Sequence, residues 1–135
     1  ALRENKLGIA QQHIDRAREI QPRAIRWIVT EAKIRKRAGE VDKAINLLTG
    51  LPDDELLQGE TLALLAECYG MVGRPGDAAP RYIDAANADD DNAELAFDAA
   101  VWLERAGDRE NAIKWARRAI ELGHPRARDW VDSLS

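Results

Sequence analysis

The sequence predicts an all-α fold made of stacked antiparallel helix pairs. Three observations predict it. Gly39, Gly73 and Gly107 recur at intervals of 34 residues. Alanine columns keep the same interval: Ala44, Ala78 and Ala112, with Ala10 one interval earlier, and Ala32, Ala66 and Ala100. A further column holds Ala17, Leu51, Ala85 and Ala119. Between the glycines, apolar residues return at helical spacing: Leu95, Ala99, Trp102, Leu103 and Ala106, then Ala112, Ile113, Ala116, Ala119 and Ile120. A fixed period of this length marks a repeat architecture, in which one helix pair cannot bury its apolar face alone.

The register divides the chain into one domain, 1–135. Residues 1–24 read as the second half of an earlier unit, with Asn5 one interval before Gly39. Full units follow at 25–58, 59–92 and 93–126, and 127–135 reads as a partial unit or capping helix. Within each unit the glycine closes the first helix in a left-handed cap. Asp108 is placed to cap the helix after Gly107, and Asp91 with Glu94 resembles a capping box after the next turn. Pro22 and Pro125 fall just past helix ends, where a missing N–H does little harm. The paired alanines let the two helices of a unit cross closely, and bulk beside them fills the space between units.

Two places break the regularity. Thr49-Gly50-Leu51-Pro52 stops the second helix of the first unit about one turn early. Asp53-Asp54-Glu55 then reads as a new start, with an extra turn over 54–58. Pro80 would lie inside a helix unless Asp77 is the N-cap. That placement puts Pro80 in a first turn and makes 70–76 a longer loop.

The period and columns resemble the tetratricopeptide repeat. The middle unit matches best, through Leu62, Leu65, Ala66 and Tyr69, then Ala78, Tyr82 and Ala85. The third keeps Ala100, Gly107, Ala112, Ala116 and Ala119. Ala10, Ile14, Ala17 and Pro22 carry the resemblance to the N-terminus, and Trp130 falls in the family's Trp column. The resemblance implies a right-handed superhelical α-solenoid of about seven to eight helices. It also implies a non-enzymatic protein–protein interaction module, a scaffold or adaptor, that binds a peptide or helix in its concave groove. A structural or self-association segment, or a recruiting domain of a larger protein, is the alternative.

Composition narrows the function classes. The single Cys68 rules out an internal disulfide framework and a cysteine-cluster zinc site, and His13 and His124 form no metal pair. The net charge of −4 speaks against nucleic acid as a partner. No apolar run reaches the roughly 18 residues of a membrane span. No catalytic triad, phosphate loop or complete calcium loop is present, so no catalytic residue, cofactor or metal is expected. Asp89–Glu94 reads as an inter-unit turn with capping acids. Cys68 reads as a small buried hydrophobe, His13 as a surface residue and His124 as a dipole partner at a helix end. Trp27, Trp102 and Trp115 read as packing residues, and Trp130 as partly exposed. Cysteine usage leaves the compartment open, with the cytoplasm favoured over the periplasm.

The expected partner is a protein or peptide, with self-association left open. By resemblance, the first helix of each unit lines the groove. The first unit contributes Arg26, Val29, Thr30, Lys33, Lys36 and Arg37. The second contributes Glu60, Ala63, Leu64, Glu67, Gly70 and Met71. The third contributes Glu94, Phe97, Asp98, Val101, Glu104 and Arg105, with Arg128 and Val131 beyond. This set predicts a groove that is basic at its N-terminal end, apolar in the middle and mixed acidic at its C-terminal end. Net charges of +2 over 1–58 and −6 over 59–135 agree in direction. One family subclass clamps chaperone C-terminal carboxylates with a basic and amide set. Here Lys33 and Leu64 replace two of its Asn residues and Asp98 replaces a basic one, so that set is not reproduced.

Overall fold

The computed structural model describes residues 24–52 and 59–134. They form seven helices and, among the described residues, no strand. α1 covers 24–37, α2 is Val41–Thr49, α3 is Gly59–Met71 and α4 is Pro75–Ala88. α5 is Ala93–Arg105, α6 is Arg109–Glu121 and α7 is Ala127–Ser133. The partial unit at 1–23, His13 within it, and the extra turn at 54–58 lie outside the described residues.

The turn inside each unit follows one scheme. Gly39, Gly73 and Gly107 all take positive φ, a region where a side chain would be strained. Each turn closes with two backbone bonds. In the third, Gly107 N–H donates to the Glu104 carbonyl at 3.0 Å and Asp108 N–H to that of Leu103 at 2.9 Å. This is the Schellman arrangement, which satisfies carbonyls left over at a helix end. The Asp108 carboxylate then accepts from Asn111 N–H at 3.2 Å and starts α6. Asn92, rather than Asp91, caps α5, accepting from Leu95 N–H at 3.1 Å.

The alanine columns are the places of closest packing. Ala32, Ala44, Ala66, Ala78, Ala100 and Ala112 are all fully buried. Leu48 and Leu65 fill the space beside them, and Cys68 packs there as a small hydrophobe. Burial raises the Cys68 thiol pKa and keeps it uncharged. Each buried leucine is worth about 2–3 kcal/mol of transfer free energy. α4 packs on both α3 and α5, and α6 on both α5 and α7, so one core continues from unit to unit.

α2 ends at Thr49 after nine residues, the early stop read from Thr49–Pro52. α4 differs from expectation. It begins at Pro75, directly after the Gly73 turn, with Arg74 at the N-cap position and no side-chain cap. Asp77 lies inside the helix and pairs with Arg74 at 2.7 Å. The loop is therefore Val72–Arg74, and Pro80 stands within the helix. Pro75 decides the start: its fixed φ and missing N–H both suit the first helical position. Pro80 then leaves the Gly76 carbonyl without its helical donor. Both residues are exposed, so water reaches that carbonyl.

Trp27 also departs from expectation. It is 69% exposed, and Ile34, two turns along α1, is 55% exposed. One and two intervals later the same columns hold Thr61 and Leu95, and Cys68 and Trp102, all buried or half-buried. Trp102, Trp115 and Trp130 pack as half-buried residues against the core.

Candidate interaction groove

A groove of about 600 Å³ runs across the first helices of the three units. α1 supplies Lys33, Lys36 and Arg37; α3 supplies Glu60, Ala63, Leu64 and Glu67; α5 supplies Leu95 and Asp98. Tyr82 reaches the groove from α4. An adjoining hollow of about 450 Å³ shares Lys33 and Glu60 and adds Ile25, Arg26, Val29, Thr30, Gly59 and Thr61. These residues come together because every fourth or third residue of a helix shares a face, and the 34-residue register sets the three faces side by side.

The groove's three cations stand on α1 and its carboxylates on α3 and α5, and two of the cations are paired across to α3. Lys33 Nζ lies 2.6 Å from Glu60 Oε1, and Lys36 Nζ lies 2.9 Å from Glu67 Oε1. The basic N-terminal end expected from α1 is thus matched by acids of α3. Such solvent-touched pairs contribute at most about 1 kcal/mol each, but they fix where charge stands along the groove. Between them lie Ala63, half-buried, and Leu64, buried. Asp98 is half-buried beside Leu64 and Leu95. Burial, then the nearby carboxylates of Glu94 and Glu67, push its pKa up to about 6, against the pull of His124 and Arg126. Tyr82 is buried and stacked on Trp102, and its pKa is raised by burial and by the Asp98 and Glu67 charges.

The remaining residues expected in the groove do other things. Gly70 is where Trp102 seats: a Cβ there would stand 2.5 Å from Trp102 Cζ2. The Arg105 guanidinium lies over the Trp102 ring, 4.5 Å from its centroid. Glu104 is engaged by Arg109 at 3.0 Å, and Val101 is half-buried. Met71 is exposed at the end of α3. Glu94 and Phe97 belong to a different contact. His124 Nδ1 accepts from Arg126 N–H at 3.1 Å, so in the neutral ring Nε2 carries the proton and donates to Glu94 Oε2 at 2.8 Å. The ring stacks on Phe97 at 4.2 Å, and Phe97 meets Trp130 edge-on at 5.8 Å. His124 therefore ties the α6–α7 turn to α5, rather than serving only as a helix-end charge. Arg128 is exposed and Val131 half-buried on α7.

Leu95, Tyr82, Ile25, Gly59 and Thr61 also line these spaces, and none belongs to the groove set expected from the sequence. Leu95 and Tyr82 read there as packing residues, which they also are. The ion pairs carried a signal: Lys33 with Glu60 and Lys36 with Glu67 are opposite charges on consecutive first helices. Among the described residues, no group of three or more His, Cys, Asp or Glu is arranged to hold a metal ion. No helix among them is long and apolar enough to cross a membrane.

No family model and no curated protein sequence matches the chain. Solved structures do match it in shape. A crystal structure of MamA superposes with a TM-score of 0.70 at 16% identity, covering 84% of this chain and 67% of that one. SycD, a type III secretion translocator chaperone of Yersinia enterocolitica, superposes with a TM-score of 0.67 at 18% identity, covering 86% and 93%. Both are tetratricopeptide-like helical solenoids. The fold is a tetratricopeptide-type α-solenoid. Identities this low carry the likeness of fold and nothing of the partner.

Proposed function

We propose that this solenoid is a protein-interaction module that takes a peptide or helix of a partner protein in the groove of α1, α3 and α5. The observation that carries the reading is the groove's construction. Apolar Ala63 and Leu64 lie on α3 between the ion pairs Lys33–Glu60 and Lys36–Glu67, and Leu95 of α5 lines the same groove. A lining of this kind gives a partner apolar contact area, and fixed flanking charges give it orientation. SycD is itself a translocator chaperone, which fits a role in binding protein chains.

The test is selection from a displayed random peptide library against the chain, followed by affinity measurement with Ala63→Arg. That substitution fills the groove from a half-buried helical site, and circular dichroism checks that the helices remain. Selected peptides should bind the parent and lose at least tenfold with Ala63→Arg. A library that yields no binder, or binders indifferent to Ala63→Arg, contradicts the reading.

A second reading, self-association through α1, is favoured by one observation: the exposed Trp27 and Ile34 in columns that are covered elsewhere. Light scattering over a concentration series tests it. Mass should rise with concentration and stop rising in Trp27→Ser/Ile34→Ser; a constant monomer mass contradicts it.

A further inference from the structure

We infer that the partner segment carries a basic side chain, Lys or Arg, that lies along Leu64 and Leu95 and pairs with Asp98. The inference rests on the groove reading above and gives its occupant a chemistry. Six charged residues line the groove. Two cations and two carboxylates are already paired, Lys33 with Glu60 and Lys36 with Glu67. Arg37 is exposed, so water reaches its guanidinium. Asp98 is the exception. It is half-buried and, among the described residues, its carboxylate takes part in no hydrogen bond or ion pair.

Its surroundings sharpen the demand. α3 faces it with Leu64 and Glu67, α4 with Tyr82, and its own helix with Leu95 and Glu94. His124 and Arg126, from the turn before α7, are the basic groups within electrostatic reach. Arg126 is exposed, and the His124 ring is held by Glu94 and the Arg126 backbone. A half-buried carboxylate among carboxylates and apolar carbon lowers the stability of the empty chain. A ligand cation removes that penalty, and the methylenes of a Lys or Arg stem suit the leucines beside it. An acidic or purely apolar ligand would bury Asp98 further without compensation. The site therefore selects for a cation and against its opposite. The raised Asp98 pKa agrees with this placement.

The experiment uses the same displayed library, selected in parallel on the parent and on Asp98→Asn at pH 7.5. The parent should enrich peptides with Lys or Arg at one fixed position among apolar residues. Asp98→Asn should still enrich peptides, with that preference gone. For one parent-selected peptide, Asp98→Asn and replacement of its basic residue by norleucine should each weaken binding about tenfold, and the two together little more than either alone. Binders without a basic preference, or additive effects of the two changes, overturn the assignment to Asp98 and leave the groove reading standing. No binder to the parent overturns both.

Discussion

At the residue scale, Gly70 and Asp98 carry the most specific consequences. A helical glycine is ordinarily improved by alanine, by about 1 kcal/mol. Gly70 inverts that rule, because Trp102 occupies the space a Cβ needs, at 2.5 and 2.7 Å. Trp102 in turn is stacked on Tyr82 and covered by Arg105, so it has little room to yield. Gly70→Ala should therefore destabilise by about 1–3 kcal/mol, read by urea unfolding, with a changed near-ultraviolet tryptophan signal. Asp98 has a folded pKa of about 6 against an ordinary 3.8. The folded chain thus binds the proton more tightly than the unfolded one. The stability this contributes is full below pH 4 and is lost as the pH rises through 6. Asp98→Asn should remove that loss. It should be more stable than the parent by about 1–2 kcal/mol at pH 7, allowing for the solvent its carboxyl still touches, with the gap closing toward pH 4. Thermal unfolding at pH 4, 5, 6 and 7 checks it.

At the element scale, the local signals were legible where the cause is local. The glycine turns, the Asp108 cap and the early stop of α2 each follow from a few adjacent residues, and all stand as read. The start of α4 is ambiguous in the sequence, because Pro75 and Asp77 both suit a helix beginning. The Gly73 turn, once closed by Arg74 N–H to the Tyr69 carbonyl at 2.9 Å, leaves Pro75 in the first helical position. Pro80 is then an interior proline, tolerated on an exposed face but not neutral. Pro80→Ala restores a donor to the Gly76 carbonyl and removes ring crowding. It should raise stability by about 1–3 kcal/mol, measured by denaturant midpoint at unchanged slope. An unchanged midpoint would mean that the helix had already relaxed around the ring.

At the scale of the whole molecule, the repeat period made the architecture readable, since columns 34 residues apart report the same environment. It did not report exposure at each position of a column: Trp27 shares its column with Thr61 and Leu95, yet it is exposed where they are buried or half-buried. The groove was legible in part. Lys33, Lys36, Glu60, Ala63, Leu64, Glu67 and Asp98 are expected there because the family resemblance assigns the groove face to the first helix of each unit, and all seven line the groove. Tyr82 enters from a second helix, and Phe97 and Glu94 are drawn away by His124. Those placements depend on how consecutive helices pack, which no single column encodes.

The central claim is that the groove of α1, α3 and α5 is where a partner chain binds. The most direct measurement is nuclear magnetic resonance mapping of backbone amides as a selected peptide is titrated in. The account predicts that shifts concentrate at Lys36, Ala63, Leu64, Glu67, Leu95 and Asp98, and leave Leu47, Asn87 and Arg117 unmoved. Shifts centred instead on Leu47, Asn87 and Arg117, along α2, α4 and α6, would contradict it.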